Sequence, residues 1–364
     1  MLFSINMVAG LAFLVLYYSS LPLYFFFVIF TFFRVRHNFK CLIASILLMS
    51  LVVALAFFPS VYMELTDLTL WVFTIFFLYV FSQMQTNLES LKNSLYIISA
   101  IQLFSGIADF LLKLTIKKQL LYFLSKSPYF ECDCDGIISG VTFFGMVFHR
   151  VQGLLPEPSY FGIISVFLYI SLKSLKPQDK IFTTMLLITV FLSYSIIAIT
   201  LLILYFILSF TYYSRRKKIG TILLILIFVP IIILDGALTN QFYMKLSGEH
   251  VSGISRYFKF ITAIDLIIER PFFGYQPGYF VSINGTQTGN VYLTLILENG
   301  LFGLLFFAIF IWLTYRPVFK IRNINILLPQ FSCFFFIGAF SNPIFFLPLI
   351  YCLHKERLDN SLRI

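Results

Sequence analysis

The sequence predicts an all-α fold, a polytopic integral membrane protein of about 12 transmembrane helices with two large extracytoplasmic loops. Three observations predict it. Hydrophobic residues make up 60% of the 364-residue chain and charged residues only 12%, whereas a soluble domain carries about 25% charged residues. Apolar runs recur at the length that crosses hydrocarbon, and lysine and arginine gather in alternate connections between them. The mean hydropathy of +0.92 fits the same class, and the 47 phenylalanines suit lipid-facing helices and interfacial belts.

A helix that rises about 1.5 Å per residue needs about 20 apolar residues to cross about 30 Å of hydrocarbon. Runs of that length lie near 41–58, 67–83, 93–112, 158–173, 219–235 and 291–312. Three longer stretches each read as a pair of spans: 3–33 divided at Ser19-Ser20-Leu21-Pro22, 181–213 at Ser193-Tyr194-Ser195, and 325–353 at Asn342-Pro343. Proline in a membrane helix also kinks without ending it, so the two proline-marked divisions compete with single bent helices.

Orientation follows from the basic residues, because short connections rich in lysine and arginine stay cytoplasmic. With the pairs divided, segments 34–40, 92, 173–180, 215–218, 316–322 and 355–363 fall on one side and hold 17 of the 26 basic residues. Both termini are then cytoplasmic. The first apolar run lacks a short charged leader and cleavage site and reads as a retained anchor. The net charge of +10 is therefore a topology signal, and no nucleic-acid partner is expected. Cys132-Asp133-Cys134-Asp135 lacks the second ligand pair of a structural zinc site, so neither a metal nor another cofactor is expected.

Residues 1–364 thus read as a single transmembrane domain from which two long extracytoplasmic loops emerge, at about 113–157 and 236–290. Their apolar and aromatic content argues for folded loops lying over the helix ends. Within the second, Ser255 to Arg270 reads as a helix capped by Ser255 and stopped before Pro271. Its apolar residues Phe258, Ile261, Ile264 and Ile268 suit a helix lying flat on the membrane. The following Phe272-Phe273-Gly274-Tyr275-Gln276-Pro277-Gly278 is turn-rich.

Polar residues in these loops stand out against so apolar a chain. Pro156 and Pro158 flank Glu157 and block helix until after Pro158, which sets the carboxylate at a rigid lip of the membrane. Arg150 lies upstream in the same loop and Arg256 in the other. Guanidinium binds phosphate through paired hydrogen bonds and keeps its charge near lipid, so arginine is the expected ligand for a lipid-linked phosphate. Arg270, at a helix end, reads equally as a side chain reaching for headgroups. Glu157 also reads as a helix-capping carboxylate. Glu298 lies inside the span that begins near Val291, where an acid is costly and tends to be functional; a purely structural pairing is the alternative. His149 and His250 are the two histidines on the outer side.

This arrangement resembles a known family. Arg150, Gly153 and Glu157-Pro158-Ser159 match the arginine, glycine and Glu-Pro-Ser signature of the Wzy-type O-antigen and capsular polysaccharide polymerases of bacteria. A second match runs through Arg256, Ala263, Pro271, Gly274 and Gly278, then Gly289-Asn290-Val291-Tyr292-Leu293 and Glu298-Asn299-Gly300-Leu301-Phe302-Gly303. This pattern is shared by those polymerases and the O-antigen ligases. Many ligase-like members carry His-Asn where this chain has Gly289-Asn290, so a histidine base does not carry over and the resemblance leans toward a polymerase.

The resemblance implies metal-independent glycosyl transfer at the outer face of the bacterial cytoplasmic membrane, without a nucleotide sugar. A growing glycan on undecaprenyl diphosphate is the implied donor, and an undecaprenyl-diphosphate-linked oligosaccharide repeat unit supplies the accepting hydroxyl. A chain-length regulator protein is an implied partner. Arg150 and Arg256, with Arg270 behind them, are the implied diphosphate ligands. Glu157, His149, His250 and Glu298 are the candidate catalytic residues for orienting or deprotonating the acceptor. An O-antigen ligase is the nearest alternative. A flippase or other transporter of lipid-linked sugars fits less well, because no internal repeat is visible and the polar residues cluster in loops rather than at midplane.

Overall fold

The computed structural model describes residues 32–33, 37–56, 65–84, 88–116, 120, 140–143, 146–153, 155, 157–175, 179–210, 251–285, 288–335 and 343–361. The spans read at 3–33 and 219–235, His250, and Cys132 to Asp135 lie wholly or almost wholly outside that set. The described chain is predominantly helical. Its helices are α1 (Phe39–Ala56), α2 (Leu65–Gln83), α3 (Leu88–Thr115), α4 (Pro158–Leu175), α5 (Lys180–Leu192), α6 (Ile196–Ser209), α7 (Val251–Glu269), α8 (Tyr279–Asn284), α9 (Val291–Tyr315), α10 (Ile324–Cys333) and α11 (Leu347–Ser361). One antiparallel ribbon, β1 (Gly140–Phe143) with β2 (Met146–His149), pairs Gly140 with His149 inside the first predicted loop.

Among the described residues, Leu91–Thr115, Pro158–Leu175 and Val291–Val318 are long and apolar enough to cross a membrane. Shorter apolar helices occupy Phe39–Val53, Trp71–Gln83, Lys180–Leu192, Ile196–Ser209 and Ile324–Cys333. The predicted run 181–213 does divide at its Ser-Tyr-Ser. Ser193 turns its hydroxyl back to the Val190 carbonyl at 2.6 Å, Tyr194 takes a left-handed φ of 45°, and Ser195 caps α6 by accepting from the Ala198 N–H at 3.3 Å. In the run 325–353, α10 ends at Cys333 and a 3-10 turn occupies Pro343–Phe346; the predicted division at Asn342-Pro343 falls at the edge of residues outside the described set.

At the approximate start of the first loop α3 continues to Thr115, and Lys113 lies wholly buried within it. One boundary differs from the sequence reading. Ser255 is not a cap, because α7 begins at Val251 and places it inside the helix. The face of α7 that the sequence marked as apolar is largely outward, with Phe258 and Ile268 62% and 71% exposed. Ala263, Leu266 and Ile267 supply its inward face, packed with Tyr275, Phe280 and Leu297.

The contacts divide the chain into two compact units, Met1–Leu95 with Phe258–Ile364, and Tyr96–Tyr257. In the second, α4 is the central helix, buried from Phe161 through Leu172 and packed by α5 and α6. In the first, α9 packs on α1 and α2, and α11 on α2 and α10. Tyr315 donates to the Leu78 carbonyl at 2.9 Å. Glu356 accepts from Lys320 at 2.6 Å and from the Asn323 amide at 3.0 Å, so the basic segment after α9 is tied to α11.

Candidate functional site

In the unit Tyr96–Tyr257, the polar residues converge on the loop that feeds α4. Asp109, within α3, accepts from Lys113 Nζ at 2.8 Å and from the backbone N–H groups of Gln152 at 2.9 Å and Gly153 at 3.3 Å through one oxygen. Its other oxygen accepts from the Leu120 N–H at 2.9 Å. Lys113 Nζ also donates to the Arg150 carbonyl at 2.6 Å. From the α5 side, the Leu192 carbonyl accepts from the Val151 N–H at 3.0 Å, and the Ser193 carbonyl accepts from Arg150 Nε at 3.1 Å. Gly153 turns the chain with φ +58°, and a Cβ there would lie 2.7 Å from Ser105 Oγ and 2.8 Å from the Phe161 ring. Only glycine suits that left-handed, crowded position.

This cradle fixes Arg150 while leaving its function open. The Nε bond to Ser193 is its one side-chain hydrogen bond among the described residues, so the two terminal nitrogens present their donors unused. Burial pulls the guanidinium below its ordinary pKa and the nearby Glu157 carboxylate pulls it back up; arginine keeps its charge throughout. Glu157 is exposed, accepts from Ser159 Oγ at 2.8 Å, and offers its carbonyl to the Phe161 N–H at 3.2 Å as α4 starts at Pro158. Proline suits that first helical position, since its missing N–H has no intrahelical partner. His149, half-buried at the end of β2, has an Nδ1 without a hydrogen-bond partner among the described residues.

In the other unit, the second group of motif residues forms a break in α9 and the turn that fills it. Gly300 has φ 67° and ψ −174°, a conformation essentially restricted to glycine. The interruption frees backbone groups that residues 271–275 take up. Leu301 N–H donates to the Pro271 carbonyl at 2.8 Å, Phe302 N–H to the Phe272 carbonyl at 3.2 Å, and Tyr275 N–H to the Leu297 carbonyl at 2.9 Å. Glu298, 3% exposed, closes the turn by accepting from the Gly278 N–H at 3.0 Å and from Trp71 Nε1 at 2.8 Å, one bond on each carboxylate oxygen. Both amide atoms of the neighbouring Asn299 are buried without a partner among the described residues. Asn290 caps α9, its side chain accepting from the Tyr292 and Leu293 N–H groups at 2.9 and 3.2 Å.

Arg270 stands at the start of that turn, exposed, with its guanidinium carbon 4.7 Å from the centre of the Tyr275 ring. Tyr275 donates to Glu269 at 2.5 Å and stacks on Tyr279 with ring centres 4.2 Å apart. Residues 269–275 line a surface cavity of about 410 Å³. Burial, then the Glu269 bond, pushes the Tyr275 hydroxyl up to about 12.

The structure thus brings Arg150 and Glu157 together, and sets Arg270 and Glu298 near opposite ends of one turn in the other unit. Arg256 lies on α7, its side chain outside the described residues, as is the whole of His250. Sequence reasoning missed Asp109 and Lys113. The signal was present: an acid and a base four residues apart share one helix face, at the end of an otherwise apolar run. Trp71 carried no signal, since one more aromatic residue in a span is unremarkable beside 47 phenylalanines.

Residues 181–308, about a third of the 364-residue chain, match the family model Wzy_C, described as O-antigen ligase. The matched segment contains Arg256, Arg270, Gly274, Glu298 and Gly300, while Arg150 and Glu157 precede it. No curated protein matches the chain.

Proposed function

We propose that this chain, whose residues 181–308 place it in the O-antigen ligase/polymerase superfamily, is the polymerase that joins undecaprenyl-diphosphate-linked repeat units at the outer face of the cytoplasmic membrane. The family indicates a glycosyltransferase-like enzyme acting on lipid-linked sugars in a bacterial membrane. The finer topology belongs to the same proposal: about 12 spans, both termini cytoplasmic, and the Arg150 and Arg270 segments outside.

One observation carries the reading. Arg150 is held by its backbone and its Nε, and its two terminal nitrogens have no hydrogen bond to any described residue. Such a fixed fork of donors matches a phosphate in charge and geometry. In the transfer, the acceptor hydroxyl attacks the anomeric carbon, the bond to the lipid diphosphate breaks, and negative charge grows on the departing oxygen. A guanidinium already in place stabilises that charge more than it stabilises the bound donor, which lowers the barrier. Glu157, exposed and within the field of Arg150, is the carboxylate that orients or deprotonates the acceptor, with His149, whose Nδ1 has no hydrogen-bond partner among the described residues, as a second candidate in the same loop.

The polymerase reading is preferred over the ligase because residue 289 is a glycine with φ +77° and Asn290 is occupied in capping α9. No base is supplied at that position.

The test is the profile of surface polysaccharide and lipid-linked intermediates in cells lacking the gene, complemented with wild type or Arg150→Ala. Single repeat units in place of the polymer ladder, unrelieved by an Arg150→Ala protein present at wild-type amount, is the expected result. Long polymer accumulating on lipid assigns a ligase, and normal polymer from Arg150→Ala overturns the role of Arg150.

A further inference from the structure

We infer that Asp109 and Lys113 form a positioning pair that presents Arg150 to a diphosphate, an inference that rests on the reading of Arg150 as the diphosphate ligand.

Both side chains have 0% exposure within Leu91–Thr115, one of the candidate spans. Burying two charges there is not a route to stability, since apolar residues of similar size stabilise such a position as well or better. Acids and bases inside membrane helices accordingly tend to be functional. The geometry says what this pair does. Beyond their mutual 2.8 Å contact, the hydrogen bonds of both side chains among the described residues reach outside α3: Asp109 to the N–H groups of Leu120, Gln152 and Gly153, and Lys113 to the Arg150 carbonyl. The pair therefore grips the backbone on both sides of Val151, while the Ser193 carbonyl holds Arg150 Nε. The terminal nitrogens of Arg150 are left fixed in direction.

The choice of a pair over a lone carboxylate also has a chemical reason. Aspartate alone is a good acceptor for clustered backbone N–H groups, but its charge beside Arg150 would repel the diphosphate. Lys113 cancels that charge at 2.8 Å, so the anchor is neutral as a unit and the positive field of Arg150 remains for the ligand.

The experiment measures farnesyl diphosphate binding to the purified full chain in phosphatidylcholine nanodiscs, for wild type, Asp109→Asn, Arg150→Ala and the double variant. Asp109→Asn is expected to weaken binding about tenfold in the wild-type background and less than about twofold when Arg150 is already alanine, since coupled residues are non-additive. Asp109→Leu/Lys113→Met, which leaves no unpaired buried charge, serves if Asp109→Asn fails to fold; its expected affinity is that of Arg150→Ala. Equal weakening in both backgrounds, or full affinity in the paired apolar variant, means that the pair is structural only and overturns the inference. Wild-type affinity in Arg150→Ala would instead remove the diphosphate reading of Arg150 itself, so the two failures are distinguishable.

Discussion

At the break in α9, the backbone groups released around Gly300 are taken up by residues 271–275, and each oxygen of Glu298 already accepts a protein hydrogen bond. At the loop before α4, the anchoring is as dense, yet it grips the chain from behind and leaves the terminal nitrogens of Arg150 without a hydrogen bond among the described residues. Both regions carry residues of the two motif stretches on which the family resemblance rests. The difference teaches that a signature mixes two kinds of residue: those whose polar atoms are consumed in holding a shape, and those whose polar atoms are held ready for something absent from the chain. Glu298, a catalytic candidate on sequence alone, has both carboxylate oxygens engaged by protein donors; under the proposed function Arg150 belongs to the second kind.

The comparison breaks most severely if Gly300 tolerates a side chain. Gly300→Ala forces a Cβ into the Phe272 carbonyl at a backbone conformation that only glycine adopts readily. The expected cost is about 3 kcal/mol or more, read as loss of the protein from the membrane fraction and early aggregation on heating. Wild-type amounts of Gly300→Ala would mean that the turn at 271–275 does not depend on the break.

The two carboxylates give the next and sharper division. Glu298→Gln replaces one accepting oxygen with a donor, so the buried hydrogen bond from either the Gly278 N–H or Trp71 Nε1 is broken. About 1–3 kcal/mol of stability is expected to go, with activity per folded molecule largely kept. Glu157→Gln should do the opposite. Glu157 is exposed, and its role in the proposed transfer is chemical, so melting temperature should hold while polymer formation falls by about 100-fold. The check is polymer yield per unit of folded protein beside the melting curve. Identical profiles for the two variants would erase the distinction drawn between the regions.

How far this division was legible in the sequence follows from what each signal depends on. The runs at 93–112, 158–173 and 291–312 were legible because hydrocarbon thickness sets a length that composition alone reveals, and the Ser193-Tyr194-Ser195 division because serine and tyrosine interrupt an apolar run with a local turn. The start of α7 was not legible: Ser255 has the chemistry of a cap, but the helix extends from Val251 and overrides it. The ribbon at 140–149 escaped because eight paired residues in a mixed loop have too short a period to read. At the site, the arginines and Glu157 stood out by rarity. The occupation of Glu298 by Trp71 was invisible, since 227 residues separate them, and no local rule predicts so distant a partner. Asp109 and Lys113 were legible in principle through their spacing, but Lys113 lay one residue past the run read as apolar.

The smallest effect sharpens the comparison within the turn itself. Tyr275 donates to Glu269 and stacks on Tyr279 beside Arg270. Tyr275→Phe keeps the rings and removes one hydrogen bond, so a loss of about 1 kcal/mol or less is expected. Its pH signature is more specific than its size. The folded-state pKa of about 12 lies above the usual value of 10.0, so the neutral phenol is the form that the fold favours. The stability it contributes is complete below pH 10 and is lost as pH rises through 12. Melting curves of wild type in detergent should therefore fall more steeply than those of Tyr275→Phe across that interval and run parallel at neutral pH. Parallel curves throughout would detach the hydroxyl from Glu269 and leave the aromatic stack alone to hold that edge of the turn.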